Sequence, residues 1–464
     1  MKHTKKITAL LLAGAMTLSV CACSDEAGST GPKPKPAIEN AYALEVPALP
    51  DMAPYPDEES FIKSDGVFDS DGYDAVYTAW RDSRLAQQEQ ASAYTGKLNE
   101  YLKKTAAAYL TPEEAGDNAA CSPLNIWMAL AMAAETAGGS TRQELLDLLG
   151  MSSIEETRAV AKALWNANYC DDGACTSRMA ASLWMNKDVT FKEAVLRTLA
   201  EEYLAGSYQG DMTDPAFSKA FKDWLNENTG GLLSDAVDSL DDFDPETVMA
   251  LATTVYFSAK WTDRFQEDNT YTETFHGAKN DADADFMHRT ESGQYYWTEH
   301  FGAVNLPFED AGSMWLILPD EGVDPASLLA DGSAMDFLLG SYETREENSK
   351  HVMIDMAVPK FDVSAEMDLQ KTLESLGVSE MFSRQADFSN LTDLEGVFIG
   401  SASHNARVKV DEEGCEAAAF TVMMYCGAAM PPDEHVEFKL DRPFLFALTG
   451  TDGLPLFYGV VNQL

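Results

Sequence analysis

The residue types that could do chemistry are few in this chain, and most are poorly placed for catalysis. Ser122 and His404 are the types of a nucleophile and its base, and with some Asp they would compose a hydrolytic triad. The stretch around Ser122, Ala120-Cys121-Ser122-Pro123-Leu124, has no G-x-S-x-G elbow to present the hydroxyl, so acyl transfer is not expected there. Cys170 and Cys175 flank Asp171-Asp172-Gly173-Ala174, a turn-like tetrapeptide, and a small disulfide is expected if the compartment is oxidising. Zinc would need two more ligands, and no second Cys pair of suitable spacing exists, so no metal is expected. P-loop and dinucleotide fingerprints are missing as well, and neither a cofactor nor enzymatic activity is expected.

A different capacity resides in the strip from Glu413 to Tyr425. Side chains of a β-strand alternate between its two faces, so Cys415, Ala417, Ala419, Thr421 and Met423 would share one face. All are small or flexible and uncharged, and could enter a packed interior without burying an ion. The opposite face carries Glu416, Ala418, Phe420 and Val422, of which Glu416 must stay near solvent. Left on the surface, so Ala-rich a strip has few large side chains to hold it down. Inserted between two strands, it would satisfy backbone N–H and C=O groups along both edges.

A framework able to receive such a strand must be large and sheet-rich. The 464 residues, 45% hydrophobic and 10% aromatic, suffice for one large domain plus a tail. Apolar residues at helical spacing predict helices over Leu98–Leu110 and Asn125–Ala137. Thr141 with Glu144 three residues on resembles a capping box that opens a third helix, stopped at Gly150. Strands are predicted over Val248–Phe257, Ser313–Leu318, Val352–Val358, Val397–Ile399 and Pro443–Leu448. These runs are apolar rather than alternating, which implies strands covered on both faces in large mixed sheets, an α+β arrangement. The formal charge of −43, from 76 acidic against 33 basic residues, disfavours nucleic acid and anionic lipid as partners. It suits a solvated surface.

The N-terminus reads as an export signal. Lys2, Lys5 and Lys6 precede an apolar run from Ile7 to Val20 that spans only about 21 Å as a helix, too short to cross a bilayer. Leu18-Ser19-Val20-Cys21-Ala22-Cys23 resembles the lipobox of bacterial lipoproteins, and small Ala22 favours Cys23 as the lipidated residue. Two acyl chains there would meet the two-signal requirement for stable anchoring, the chain's one expected membrane contact. Residues 1–22 are thus expected to be a lipoprotein signal peptide and 23–74 a Pro-rich, acidic tether. The main domain is expected over 75–464.

Several blocks in the main domain resemble the serpin family of serine-protease inhibitors. They begin with Asn118-Ala-Ala-Cys-Ser-Pro-Leu-Asn-Ile-Trp127 and continue through Thr254-Val-Tyr-Phe-Ser-Ala-Lys-Trp261 and Val358-Pro-Lys-Phe361. The most specific are Val410-Asp-Glu-Glu-Gly-Cys-Glu-Ala-Ala-Ala-Phe-Thr421, similar to the serpin hinge, and Asp441-Arg-Pro-Phe-Leu-Phe446 with Pro455-Leu-Phe-Tyr-Gly459, similar to the closing strands. The resemblance implies the serpin fold, with large mixed sheets, about eight or nine helices and an exposed reactive-centre loop near the C-terminus.

It also implies a mechanism. A target protease acylates the loop, the cut loop inserts into the main sheet, and the attached enzyme is distorted before it can deacylate. The implied hinge is Glu412, Glu413, Gly414, Cys415, Glu416, Ala417, Ala418, Ala419, Phe420 and Thr421. Seventeen residues counted from Glu412 end at Ala428, which places the scissile bond at Ala428–Ala429. A small residue before the cut fits a shallow specificity pocket, so an elastase-like or subtilisin-like protease is the expected partner of a monomeric inhibitor. The sheet-opening region is implied to hold Ser122, Asn125, Thr253 and His404, with Trp261 as a lid. Cys415 stands where the family usually has Thr or Ser, and its thiol could couple to Cys426 and restrain the loop. The alternative is a noninhibitory member serving as a binding scaffold, whose expected sign of bulky or charged hinge residues is mostly missing, with Phe420 the exception.

Overall fold

A computed structural model describes residues 39–464 apart from 51, 91–93, 113, 174, 310, 341 and 416–431. The expected signal peptide with Cys23, the hinge residues Glu416, Ala417, Ala418, Ala419, Phe420 and Thr421, Cys426 and the Ala428–Ala429 bond therefore lie outside the described residues.

Two mixed sheets enclose the core. The first runs, in spatial order, Ala43–Glu45, Ala205–Gly210, Thr176–Asn186, Met249–Lys260, Gly414–Cys415, Ser403–Val410 and Phe361–Asp368, with Cys170–Asp171 paired beside Thr176–Asn186. The second runs His435–Lys439, Ser349–Pro359, Asp281–Trp297, Phe301–Pro307, Ser313–Pro319, Phe444–Thr449, Pro455–Val461 and Ala119–Cys121, and Thr270–His276 pairs with Asp281–Trp297. Four of the five predicted strands are in these sheets. Val397–Ile399 is not: Ile399 N–H bonds to the Met381 carbonyl at 2.8 Å, and Phe398 lies exposed. Three apolar residues in a row cannot distinguish a strand from a short irregular segment.

Among the described residues, eight α-helices have seven or more residues, and the other α-helices have four to six. Helix Pro123–Thr136 buries every residue except Ala129, because it packs against both the strand Met249–Lys260 and the strand Pro455–Val461. Pro123 at its first position supplies a φ already suited to a helix. Its last carbonyls, Ala134 and Glu135, accept from the Arg142 guanidinium at 2.9 and 3.1 Å, which satisfies groups that lack intrahelical donors.

The next helix corrects the expected capping box. It begins at Gly139, two residues before Thr141, and ends as expected with Gly150 in the left-handed conformation. The Thr141 hydroxyl donates to Glu380, and Glu144 accepts from the backbone N–H groups of Ser379 and Glu380. Both side chains are spent on a distant segment, a tertiary use that local spacing cannot reveal.

The expected tether boundary also shifts. Asp74 falls inside the helix Ser70–Glu89, and Ala43–Glu45 is an edge strand of the first sheet. Tyr42 meets Phe217 edge-on at 4.9 Å, Tyr55 meets Trp80 at 5.3 Å, and Trp80 is buried. Tyr42 and Met52 find partners far along the chain, Phe61 and Phe68 pack on nearby Tyr73, and Leu44, Val46 and Leu49 lie exposed, so no single local period marks the stretch.

Candidate functional site

The hinge begins as a tight reversal at the end of strand Ser403–Val410. Asp411 N–H bonds to the Gly414 carbonyl at 3.1 Å, and Glu413 N–H bonds to the Asp411 carboxylate at 3.0 Å. Gly414–Cys415 then runs antiparallel to both neighbours, with Cys415 opposite Val410 on one side and Ala259 on the other. Among the described residues, these two alone separate Met249–Lys260 from Ser403–Val410. Beneath Cys415 lies a cavity of about 20 Å³, bounded by Val255 and Phe257 on one strand, Val408 on the other, and Leu448 and Phe457 of the second sheet behind. A space of this size holds about one water.

Trp261 closes the upper end. Its backbone N–H binds the Glu413 carbonyl, its indole N–H binds the Asp411 carbonyl, and its ring stacks on Phe308 at 4.6 Å. Phe265 N–H takes the Glu412 carbonyl at 3.2 Å. Two ion pairs add to this: Arg264 to Glu413 at 2.6 Å, and Lys360 to Glu412 at 2.9 Å, with the Thr270 hydroxyl also donating to Glu412. Burial favours the neutral acid, yet the Lys360 ammonium, a backbone N–H and Thr270 together hold Glu412 below its ordinary value. Arg264, Thr270 and Lys360 escaped the sequence reading as hinge partners. Lys360 sits in the Val358–Phe361 block, but its carboxylate lies 52 positions away and only folding joins them.

The other end of the slot holds the buried polar cluster. Ser122 N–H donates to His404 Nε2 at 3.0 Å, and the Asn125 amide donates to the Thr253 carbonyl at 3.2 Å. These two contacts bring Ser122 to His404 and Asn125 to Thr253 where the helix Pro123–Thr136 starts beneath the first sheet. Trp261 stands eight residues beyond Thr253, about 26 Å along an extended strand. The triad reading fails on geometry: Nε2 accepts from a backbone amide, Ser122 Oγ has no hydrogen-bond partner among the described residues, and His404 shows no carboxylate influence on its titration beside that of burial.

Burial pushes His404 down to about 4. The unfolded chain takes up this proton near pH 6.5 and the folded chain refuses it until about pH 4, so the unfolded state binds more protons in between. Stability should therefore fall by about 3 kcal/mol as the pH drops through that window, from this residue alone. Urea unfolding of the wild type and of His404→Gln, which keeps an acceptor for Ser122 but does not titrate, should diverge between those limits. Parallel profiles would show that the imidazole does not carry the effect.

The cysteines differ from expectation. Cys170 and Cys175 are buried free thiols in place of the expected small disulfide, and Cys415 is buried and lines the slot. At its far end the loop is held by the other sheet: His435–Lys439 runs parallel to Ser349–Pro359, and His435 Nδ1 lies 2.9 Å from Asp355.

The first sheet is interrupted by a two-residue wedge, and the chain beyond residues 416–431 resumes in the second sheet. Comparison with known proteins identifies this arrangement. The family model described as Serpin (serine protease inhibitor) matches residues 104–464. An uncharacterised serpin-like protein of Thermococcus kodakarensis is 29% identical over 399 residues, 84% of this chain and 90% of that protein. The native state of tengpin, a thermophilic serpin, superposes with a TM-score of 0.69 at 26% identity, covering 80% of this chain and 94% of that one. Thyroxine-binding globulin in complex with thyroxine shares the fold, with a TM-score of 0.67 at 24% identity over 79% of this chain and 99% of its own length. The chain belongs to the serpin family, whose members are in general protease inhibitors acting by a suicide mechanism.

Proposed function

We propose that this chain is an inhibitory serpin, consumed as it traps an elastase-like or subtilisin-like serine protease after cleavage at Ala428–Ala429, and held at the cell surface by a lipid on Cys23. The observation that carries the reading is the register of Gly414–Cys415. Continued downward, it would set Ala417 between Phe257 and Val408, Ala419 between Val255 and Ala406, and Thr421 between Thr253 and His404. Phe257, Val408, Ala406 and His404 are buried on the core face, so the uncharged residues of the strip would point inward.

The other face also accommodates its residues. Glu416 would lie between Ser258 and exposed Lys409, a cation that offsets its charge, and Phe420 between Thr254 and Asn405. Phe420 would therefore point away from the core face, which supports the inhibitory reading over a noninhibitory scaffold. A new central strand adds backbone hydrogen bonds at about 1 kcal/mol each and buries further apolar surface, on the order of 10 kcal/mol in total. Before the cut this gain is inaccessible, because one end of the loop is fixed in each sheet.

Incubation with an elastase-like protease should yield a complex stable in SDS, with a fragment released from the C-terminal side of Ala428. The residual cleaved inhibitor should resist heat about 10 °C beyond the intact chain. Plain turnover of the loop, with neither complex nor added heat resistance, would sink the inhibitory reading.

A further inference from the structure

Cys170 and Cys175 are almost fully buried, at 1% and 3% exposure, at the two ends of one short turn. The pairing of Cys170 with Ser177 and of Asp171 with Thr176 sets the two cysteines beside each other at the mouth of the turn. Cys170 opens the two-residue strand that pairs with the start of Thr176–Asn186, and Gly173 in the turn takes φ +98°, a conformation that suits glycine. Two adjacent buried thiols are weak hydrogen-bonding partners for one another, and among the described residues no group of three or more His, Cys, Asp or Glu is placed to hold a metal ion. The carboxylates of the turn are committed elsewhere: Asp171 to Arg178 at 2.7 Å, and Asp172 to the Trp80 indole at 2.9 Å and the Cys175 backbone N–H at 3.1 Å.

The same turn is where the N-terminal arm docks. Tyr55 N–H bonds to the Asp172 carbonyl at 2.9 Å, and Asp171 N–H bonds to the Met52 sulfur at 3.3 Å. Trp80 brings the helix Ser70–Glu89 to the same carboxylate, while Gln87 donates to the Tyr169 carbonyl one residue before Cys170. Anything that stiffens residues 170–175 therefore stiffens the platform on which the arm rests.

We propose that Cys170 and Cys175 are a thiol pair that converts to an intramolecular disulfide by exchange with an external disulfide, and that the bond clamps the turn holding the N-terminal arm. One cysteine thiolate attacks the external disulfide, forms a mixed disulfide and releases one thiol. The second displaces the remaining half. Two protein thiols and one external disulfide thus become one protein disulfide and two external thiols, the protons passing to the leaving groups. The Cys170 contact and burial push the Cys175 thiol well above its ordinary value, so exchange on the folded chain should be slow and should require the turn to open. The exposed residues Asp171 and Gly173 mark where it opens.

The full chain, equilibrated in oxidised or reduced glutathione and blocked with an alkylating reagent, reports the outcome after digestion with an Asp-specific protease, which cuts between the two cysteines. The oxidised sample should contain peptides joined through Cys170 and Cys175. Cleavage of the arm between residues 46 and 57 by a broad-specificity protease should be several-fold slower than in the reduced sample. The Cys170→Ala/Cys175→Ala variant should match the reduced wild type and lose its response to glutathione. Separate alkylation of both cysteines in the oxidised sample, or linkage of either to another cysteine, would overturn the proposal. So would equal arm cleavage in the two redox forms.

Discussion

Ala417→Arg should abolish the SDS-stable complex while leaving the loop cleavable, so that the protein changes from inhibitor to substrate. The wedge register would carry residue 417 between Phe257 and Val408, both nearly inaccessible, and a guanidinium there would lose its hydration with no carboxylate to meet it. Burying an unpaired charge costs several kcal/mol, enough to stall insertion before the acyl-enzyme is trapped. The number of inhibitor molecules consumed per protease inactivated should rise at least about tenfold, since each 1.4 kcal/mol lost in the race against deacylation is a factor of ten. Ala418→Glu provides the contrast. Its position would fall on the opposite face beside Tyr256 and Arg407, and complex formation should persist. If both variants trapped protease equally well, the face assignment would be wrong.

Gly414→Ala should release the wedge from the sheet. A Cβ at this position would overlap the Ala259 carbonyl oxygen and come within 2.8 Å of Lys260 Cα, and both are backbone atoms that cannot turn aside. Overpacking of this kind costs about 1–3 kcal/mol, so the 414–415 pairing should be lost rather than strained into place. The intact variant should unfold at lower urea concentration and be cut by non-target proteases near residues 411–415. Gly400→Ala, with open space around its Cβ, should change neither measurement. Wild-type behaviour from Gly414→Ala would mean that the wedge is not held as described.

Much of this could be read along the chain, because serpin blocks carry their own spacing and alternation carries its own geometry. That Cys415, Ala417, Ala419, Thr421 and Met423 would share one face of a strand follows from the period of two, and four apolar strands follow from composition. Where reading failed, a long-range partner had intervened. Thr141 and Glu144 serve residues 379 to 387 instead of their own helix, and residues 42 to 55 join the sheet through rings and amides that lie far along the sequence.

By itself, the order of residues determined which strip can be buried without an ion, where the chain turns back on itself, and which family it resembles. Folding alone decided that this strip starts already wedged between two parallel strands, and that Lys360, Thr270 and Arg264 grip its acidic root. It also left His404 serving a backbone amide and no carboxylate. The division has a physical cause: periodicity and side-chain volume are local properties of a chain. Burial, ion pairing and the titration of a ring depend on neighbours that only a closed fold brings within reach.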